Sequence, residues 1–122
     1  MTGIAKLRAV VLDCPDPRAL AEFYAGLVGG EVTVADEEWV TLRDGGNVLL
    51  SFQKVAGHQP PDWPGNERPQ QFHVDVTVDD IDQAEPEVLA LGASKHPSQP
   101  PEHEPWRVYL DPAGHPFCLC WD

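Results

Sequence analysis

Asp111-Pro112-Ala113-Gly114-His115-Pro116-Phe117-Cys118-Leu119-Cys120-Trp121 is a tight turn followed by a strand. Asp-Pro opens the turn, Gly114 tolerates a positive φ, and the apolar run from Pro116 to Trp121 is the strand. The same order stands earlier in the chain. Asp44-Gly45-Gly46 is a turn, and Val48-Leu49-Leu50 matches Pro116-Phe117-Cys118. Before each turn lies a further strand, Glu38–Arg43 in one case and Trp106–Leu110 in the other. Short strands Glu31–Ala35 and Ala93–His96 precede those. Each set is led by a strand and a helix. Leu7–Leu12 is the first strand, and Asp16-Pro17 caps a helix with Leu20, Phe23, Tyr24 and Leu27 on one stripe. Gly29-Gly30 stops it. In the second set Gln71–Val78 is the strand, and Asp79 and Asp80 can cap a helix to about Leu91, where Gly92 ends it. Pro86 falls inside that span, so the helix either starts late, with Glu85 as cap, or kinks there. The chain therefore reads as a duplication of β-α-β-β-β. Module one spans 7–55, module two 70–122, and a Pro- and Gly-rich linker 56–69 joins them. The fold class is α+β.

At 122 residues the chain suits one domain, and 42% apolar residues are enough for a packed core. Eight Lys and Arg against 20 Asp and Glu give a net charge of −12. That balance repels phosphate backbones and anionic lipid, so neither nucleic acid nor a membrane surface is an expected partner. No apolar run approaches the ~18 residues of a membrane span, and Met1–Lys6 lacks signal-peptide features, so the expected location is the cytoplasm. Cys14, Cys118 and Cys120 are an odd number with no C-x-x-C spacing, which argues against a disulfide framework or a zinc ribbon.

Three stretches make the chain resemble the glyoxalase/bleomycin-resistance/extradiol-dioxygenase (vicinal oxygen chelate) superfamily. They are Asp16-Pro17 with Glu22-Phe23-Tyr24, Phe72-His73-Val74-Asp75-Val76, and Asp111-Pro112-Ala113-Gly114-His115-Pro116-Phe117. The resemblance covers essentially the whole chain. It implies a curved mixed sheet around a concave cup, helices on the outer face, and a homodimer. It also implies a divalent metal acting as a Lewis acid, held by two His and two Glu on cup-facing strands. Carried over position by position, those four sites fall on Ala9, Leu50, His73 and Cys118. Ala9 and Leu50 have no lone pair to offer, and a one-residue slip reaches only Arg8 or Ser51. One imidazole and one thiol are too few for a tightly held catalytic metal, and a thiolate suits borderline metals rather than Mg²⁺ or Mn²⁺. No resident metal or other cofactor is expected.

If His73 points into the cup, alternation places Gln71, Asp75 and Thr77 beside it, with Phe72, Val74 and Val76 toward the helix. Ala9, Val11 and Asp13 join from the first strand, Val48, Leu50 and Phe52 from the fourth, and Cys118 and Cys120 from the last. Such a cup is largely apolar and suits a small organic ligand. His73 reads as a catalytic base or ligand-orienting donor, or as a satisfied structural histidine. Trp63 and Trp106 can stack on a planar ligand, and for Trp39, Trp106 and Trp121 ordinary core or dimer packing is the other reading. His115 either reaches the rim or bonds its own turn. Glu102-His103-Glu104 is either a lid or a solvated loop. Cys118 as a nucleophile would need a base and a lowered pKa. His58 and His96 carry no distinguishing context. The expected function is binding of a small, planar or aromatic molecule without the metal quartet. The alternative is a lyase, isomerase or dioxygenase using His73 and an atypical metal site. A third reading is a regulatory domain that works as an oligomer without a ligand.

Overall fold

The structure, a computed structural model, describes Met1 and residues 3–121. The element order is β1 (Val11–Cys14), α1 (Pro17–Val28), β2 (Glu31–Val34), β3 (Trp39–Asp44) and β4 (Asn47–Lys54), then β5 (Val74–Thr77), α2 (Ile81–Ala90), β6 (Ser94–Lys95), β7 (Trp106–Leu110) and β8 (Pro116–Cys120). Two β-α-β-β-β modules are thus present. Each holds a four-stranded mixed sheet, ordered β1-β4-β3-β2 in one and β5-β8-β7-β6 in the other. In each the first and last strands pair in parallel and the rest antiparallel. The chain divides into two compact units at His58/Gln59, with Gly26–Val28 grouping with the second.

In module one Asp16 caps α1 as its type predicts: Oδ1 accepts the Ala19 N–H at 3.1 Å, and Pro17 takes the first helical position. The helix buries Leu20, Ala21, Phe23 and Tyr24. Tyr24 stacks on Phe52 of β4 with ring centroids 5.8 Å apart, and Phe23 meets Tyr24 edge-on at 5.0 Å. Val40, Leu42 and Phe52 complete this core. Gly30, at φ 99°, enters β2 where a Cβ would lie 2.6 Å from the Arg43 carbonyl oxygen, so a side chain there is excluded twice over.

In module two Asp80 caps α2, with Oδ1 accepting the N–H groups of Asp82 and Gln83 at 3.0 and 3.3 Å. The helix does not start late. It begins at Ile81 and runs through Pro86. Tyr109 and Phe117 pack with centroids 5.8 Å apart beneath it. The Tyr109 hydroxyl donates to Glu85 at 2.6 Å, and Lys95 and Arg107 approach the same carboxylate. The Tyr109 hydrogen bond, with help from the two cations, outweighs burial and holds the Glu85 pKa below its ordinary value.

The expected strands exist, but both leading strands are shorter. Pairing starts at Val11 rather than Leu7 and at Val74 rather than Gln71. Phe72, expected to face the helix, lies outside β5 and is 87% exposed. Alternation has no meaning where the partner strand has run out.

Candidate functional site

β5 and β8 pair with Asp75 opposite Cys118 and Thr77 opposite Cys120. β8 and β7 pair with Cys118 opposite Val108 and Cys120 opposite Trp106. Residues directly opposite share a face. Phe117, Leu119 and Tyr109 fill the core side, so Asp75, Cys118, Cys120, Val108 and Trp106 occupy the other face. A pocket of about 310 Å³ opens on that face. Its floor is Val108, Pro116, Cys118 and Cys120, and its walls are Trp63, Trp106, Gln70, His73 and Asp75. All of these residues belong to the second unit.

The polar groups form a short chain. His73 Nε2 lies 3.1 Å from Asp75 Oδ1, within ion-pair distance. The Cys118 sulfur lies within 4.8 Å of the same carboxylate. Burial first, then the Asp75 charge and the neighbouring Cys120, push the thiol pKa up to about 12. The thiol therefore keeps its proton at neutral pH, the reverse of what a nucleophilic cysteine needs. The amide oxygen of Gln70 is buried and has no hydrogen-bond partner among the described residues.

Trp63 reaches this pocket from the linker through a specific support. His96, 8% exposed, accepts the Ser98 backbone N–H on Nδ1 at 2.9 Å. The neutral ring then carries its proton on Nε2 and donates to the Trp63 carbonyl at 2.8 Å. The two rings meet edge-on with centroids 5.3 Å apart. The linker residues around Trp63 are themselves cross-bonded: Asp62 Oδ1 accepts the Arg68 N–H at 2.9 Å, and Arg68 Nε donates to the Pro60 carbonyl at 3.0 Å.

Five of the residues singled out from sequence come together here: His73, Asp75, Trp63, Trp106 and Cys118. Three do not. Phe52 is fully buried against Tyr24 on the helix side of module one. Leu50 pairs with the fully buried Leu42 and shares that core face. His115 turns back on its own turn, with Nδ1 2.8 Å from Asp111 Oδ2, while Asp111 Oδ1 accepts the backbone N–H groups of Ala113 and His115. The cause of the β4 error is a β-bulge. The register shifts between Leu42 and Arg43, so Leu42 opposes Leu50 but Arg43 opposes Val48, leaving Leu49 as an extra residue. One extra residue inverts the faces beyond it. Gln70 and His96 were missed, and no periodic or motif signal marks either.

The register also corrects the ligand-position count. Val11 opposes Ser51 in module one as Asp75 opposes Cys118 in module two. Ser51, not Leu50, is therefore the counterpart of Cys118, and Ala9 that of His73. Ser51 is buried, with its hydroxyl 3.2 Å from that of Thr41. Module one thus supplies an alanine and a serine hydroxyl already paired, which does not fit a quartet of His and Glu donors. In module two the donor atoms of His73, Asp75 and Cys118 lie within 4.8 Å of one another.

Comparison with known proteins agrees with this architecture. Residues 9–120 match the family model described as glyoxalase-like domain. No curated protein matches the sequence. Among solved structures, a glyoxalase/bleomycin resistance protein/dioxygenase family enzyme from Burkholderia phytofirmans PsJN aligns with a TM-score of 0.69 at 20% identity, over 96% of this chain and 98% of that one. The fosfomycin resistance protein FosX from Listeria monocytogenes aligns with a TM-score of 0.69 at 15% identity, over 98% of this chain and 95% of that one. FosX from Mesorhizobium loti gives 0.66 at 16% identity, over 98% and 94%. At these identities the likeness is one of fold. With the family match spanning nearly the whole length, and both modules built as β-α-β-β-β, the chain belongs to the glyoxalase-like domain family.

Proposed function

We propose that module two binds a small planar organic molecule against Trp63 and Trp106. The observation that carries this reading is the composition of one pocket: two indoles and an apolar floor with a few convergent polar groups. The pocket's size, about 310 Å³, suits a molecule of one or two rings. The hydrogen bond from His96 to the Trp63 backbone supports it, because a wall held in place loses little freedom when a ligand arrives. His73 acts here as a ligand-facing group oriented by Asp75. A thermal-shift screen of one- and two-ring aromatic compounds tests the reading, since a ligand of the folded state raises the melting temperature. Hits are expected to lose about tenfold in affinity in Trp106→Ala, the size of a lost aromatic contact. Hits indifferent to Trp106→Ala would reject the pocket as their site.

A second reading, enzymatic, is favoured by the closeness of the His73, Asp75 and Cys118 donor atoms. One nitrogen, one oxygen and one sulfur suit a borderline divalent ion such as Zn²⁺ with an open fourth position, and binding would remove the thiol proton. Cobalt(II) titration separates the two readings. A cobalt–thiolate charge-transfer band that Cys118→Ser abolishes supports the metal site. Titration without such a band leaves the organic ligand alone.

A further inference from the structure

The pocket of module two has acceptors to spare and no cation. No Lys or Arg lines it. His73 Nε2 lies 3.1 Å from Asp75 Oδ1, and the Cys118 sulfur lies within 4.8 Å of the same carboxylate. Asp75 is the ionised carboxylate in the wall, and more than half of its side chain is exposed. Gln70 lines the same pocket, and its amide oxygen is buried with no hydrogen-bond partner among the described residues. A buried acceptor left without a donor is costly, and such groups in folded proteins are normally satisfied. The field of the whole chain, at −12, adds to this local bias.

We propose that the ligand is a protonated arylalkylamine, an ammonium group carried on an aromatic ring system. Its N–H groups satisfy Gln70 and Asp75 while its ring lies on Trp63 and Trp106. Aromatic carboxylates and phosphonates are rejected, because they meet the Asp75 charge and no Lys or Arg in the lining offsets it. The inference rests on the binding reading above and specifies the chemistry of that same pocket. It also separates this chain from relatives named for fosfomycin resistance, to which only its fold is similar.

Three compounds with one ring system and different head groups test it: 2-naphthylmethylamine, cationic at pH 7, neutral 2-naphthylmethanol, and 2-naphthylacetate. Dissociation constants are measured by calorimetry on the full chain. The amine is expected to bind roughly tenfold to a hundredfold tighter than the carboxylate, the range of a charge-assisted hydrogen bond, with the alcohol between them. Asp75→Asn keeps the shape and removes the charge, and should cut the amine-to-carboxylate ratio by roughly tenfold. Gln70→Met, with no amide oxygen, should weaken the amine more than the alcohol. A carboxylate that binds as tightly as the amine overturns this inference and leaves the pocket reading intact. Failure of all three to bind, or binding unchanged in Trp106→Ala, overturns the pocket reading and this inference with it.

Discussion

Phe52→Ala is expected to destabilise the protein by about 3–5 kcal/mol, the usual cost of deleting a buried phenylalanine ring. Phe52 is fully buried, stacks on Tyr24 and sits opposite Val40. Tyr24, the ring it stacks on, is itself held edge-on by Phe23. Against the ~5–15 kcal/mol that holds a typical domain folded, this loss is a large share. Urea denaturation checks it as a fall in midpoint at unchanged slope. The measurement also decides between two faces of β4. Were Phe52 a ligand-facing residue, as plain alternation predicts, alanine would weaken binding and leave the unfolding free energy within about 1 kcal/mol of wild type.

The Cys118 thiol is expected to resist alkylation in the folded protein. Its pKa rises from an ordinary 9.0 to about 12, so at pH 8 the thiolate fraction falls roughly a thousandfold. A more basic thiolate is a better nucleophile, and a Brønsted slope of about 0.4–0.5 returns part of the loss. The net rate with iodoacetamide should be roughly thirty- to sixtyfold below that of the same cysteine in the denatured chain, and lower again because Cys118 is only 8% exposed. Its rate should keep climbing with pH beyond about 10, where the denatured chain, with an ordinary thiol pKa of 9.0, has levelled off. Mass spectrometry of Cys118-containing peptides gives the reading. Equal folded and denatured rates at pH 8 would mean an ionised thiol and would revive a catalytic cysteine.

The same shift has a consequence for stability. A thiol pKa raised by folding means that the native state holds the proton more tightly than the unfolded chain. That contribution is complete below pH 9 and is lost as pH climbs from about 9 to about 12. Glu85 works at the other end. Its pKa is lowered in the fold, so its contribution is present above the unfolded carboxylate value and is lost as pH falls through the folded one. The two groups bracket a neutral range in which both favour the native state.

Local chemistry was enough to read the two β-α-β-β-β modules from the sequence. Asp16 and Asp80 are caps, and Asp44-Gly45-Gly46 and Asp111-Pro112-Ala113-Gly114 are turns, because the groups that satisfy them lie within a few residues. The site face of β5 and β8 was legible for the same reason. Asp75 on β5 and Cys118 and Cys120 on β8 follow an unbroken period of two, and with His73, just before β5, they line one pocket. Tertiary structure alone decided the rest. The bulge beside Leu42 is a matter of how two strands meet, and it moved Leu50 and Phe52 into the core and put Ser51 in place of Leu50. Trp63 becomes a wall through a histidine 33 residues away, and Gln70 becomes a buried acceptor only because the chain around it closes. Contacts at such separations leave no period and no motif, because partners far apart in sequence are chosen by packing rather than by their neighbours in the chain.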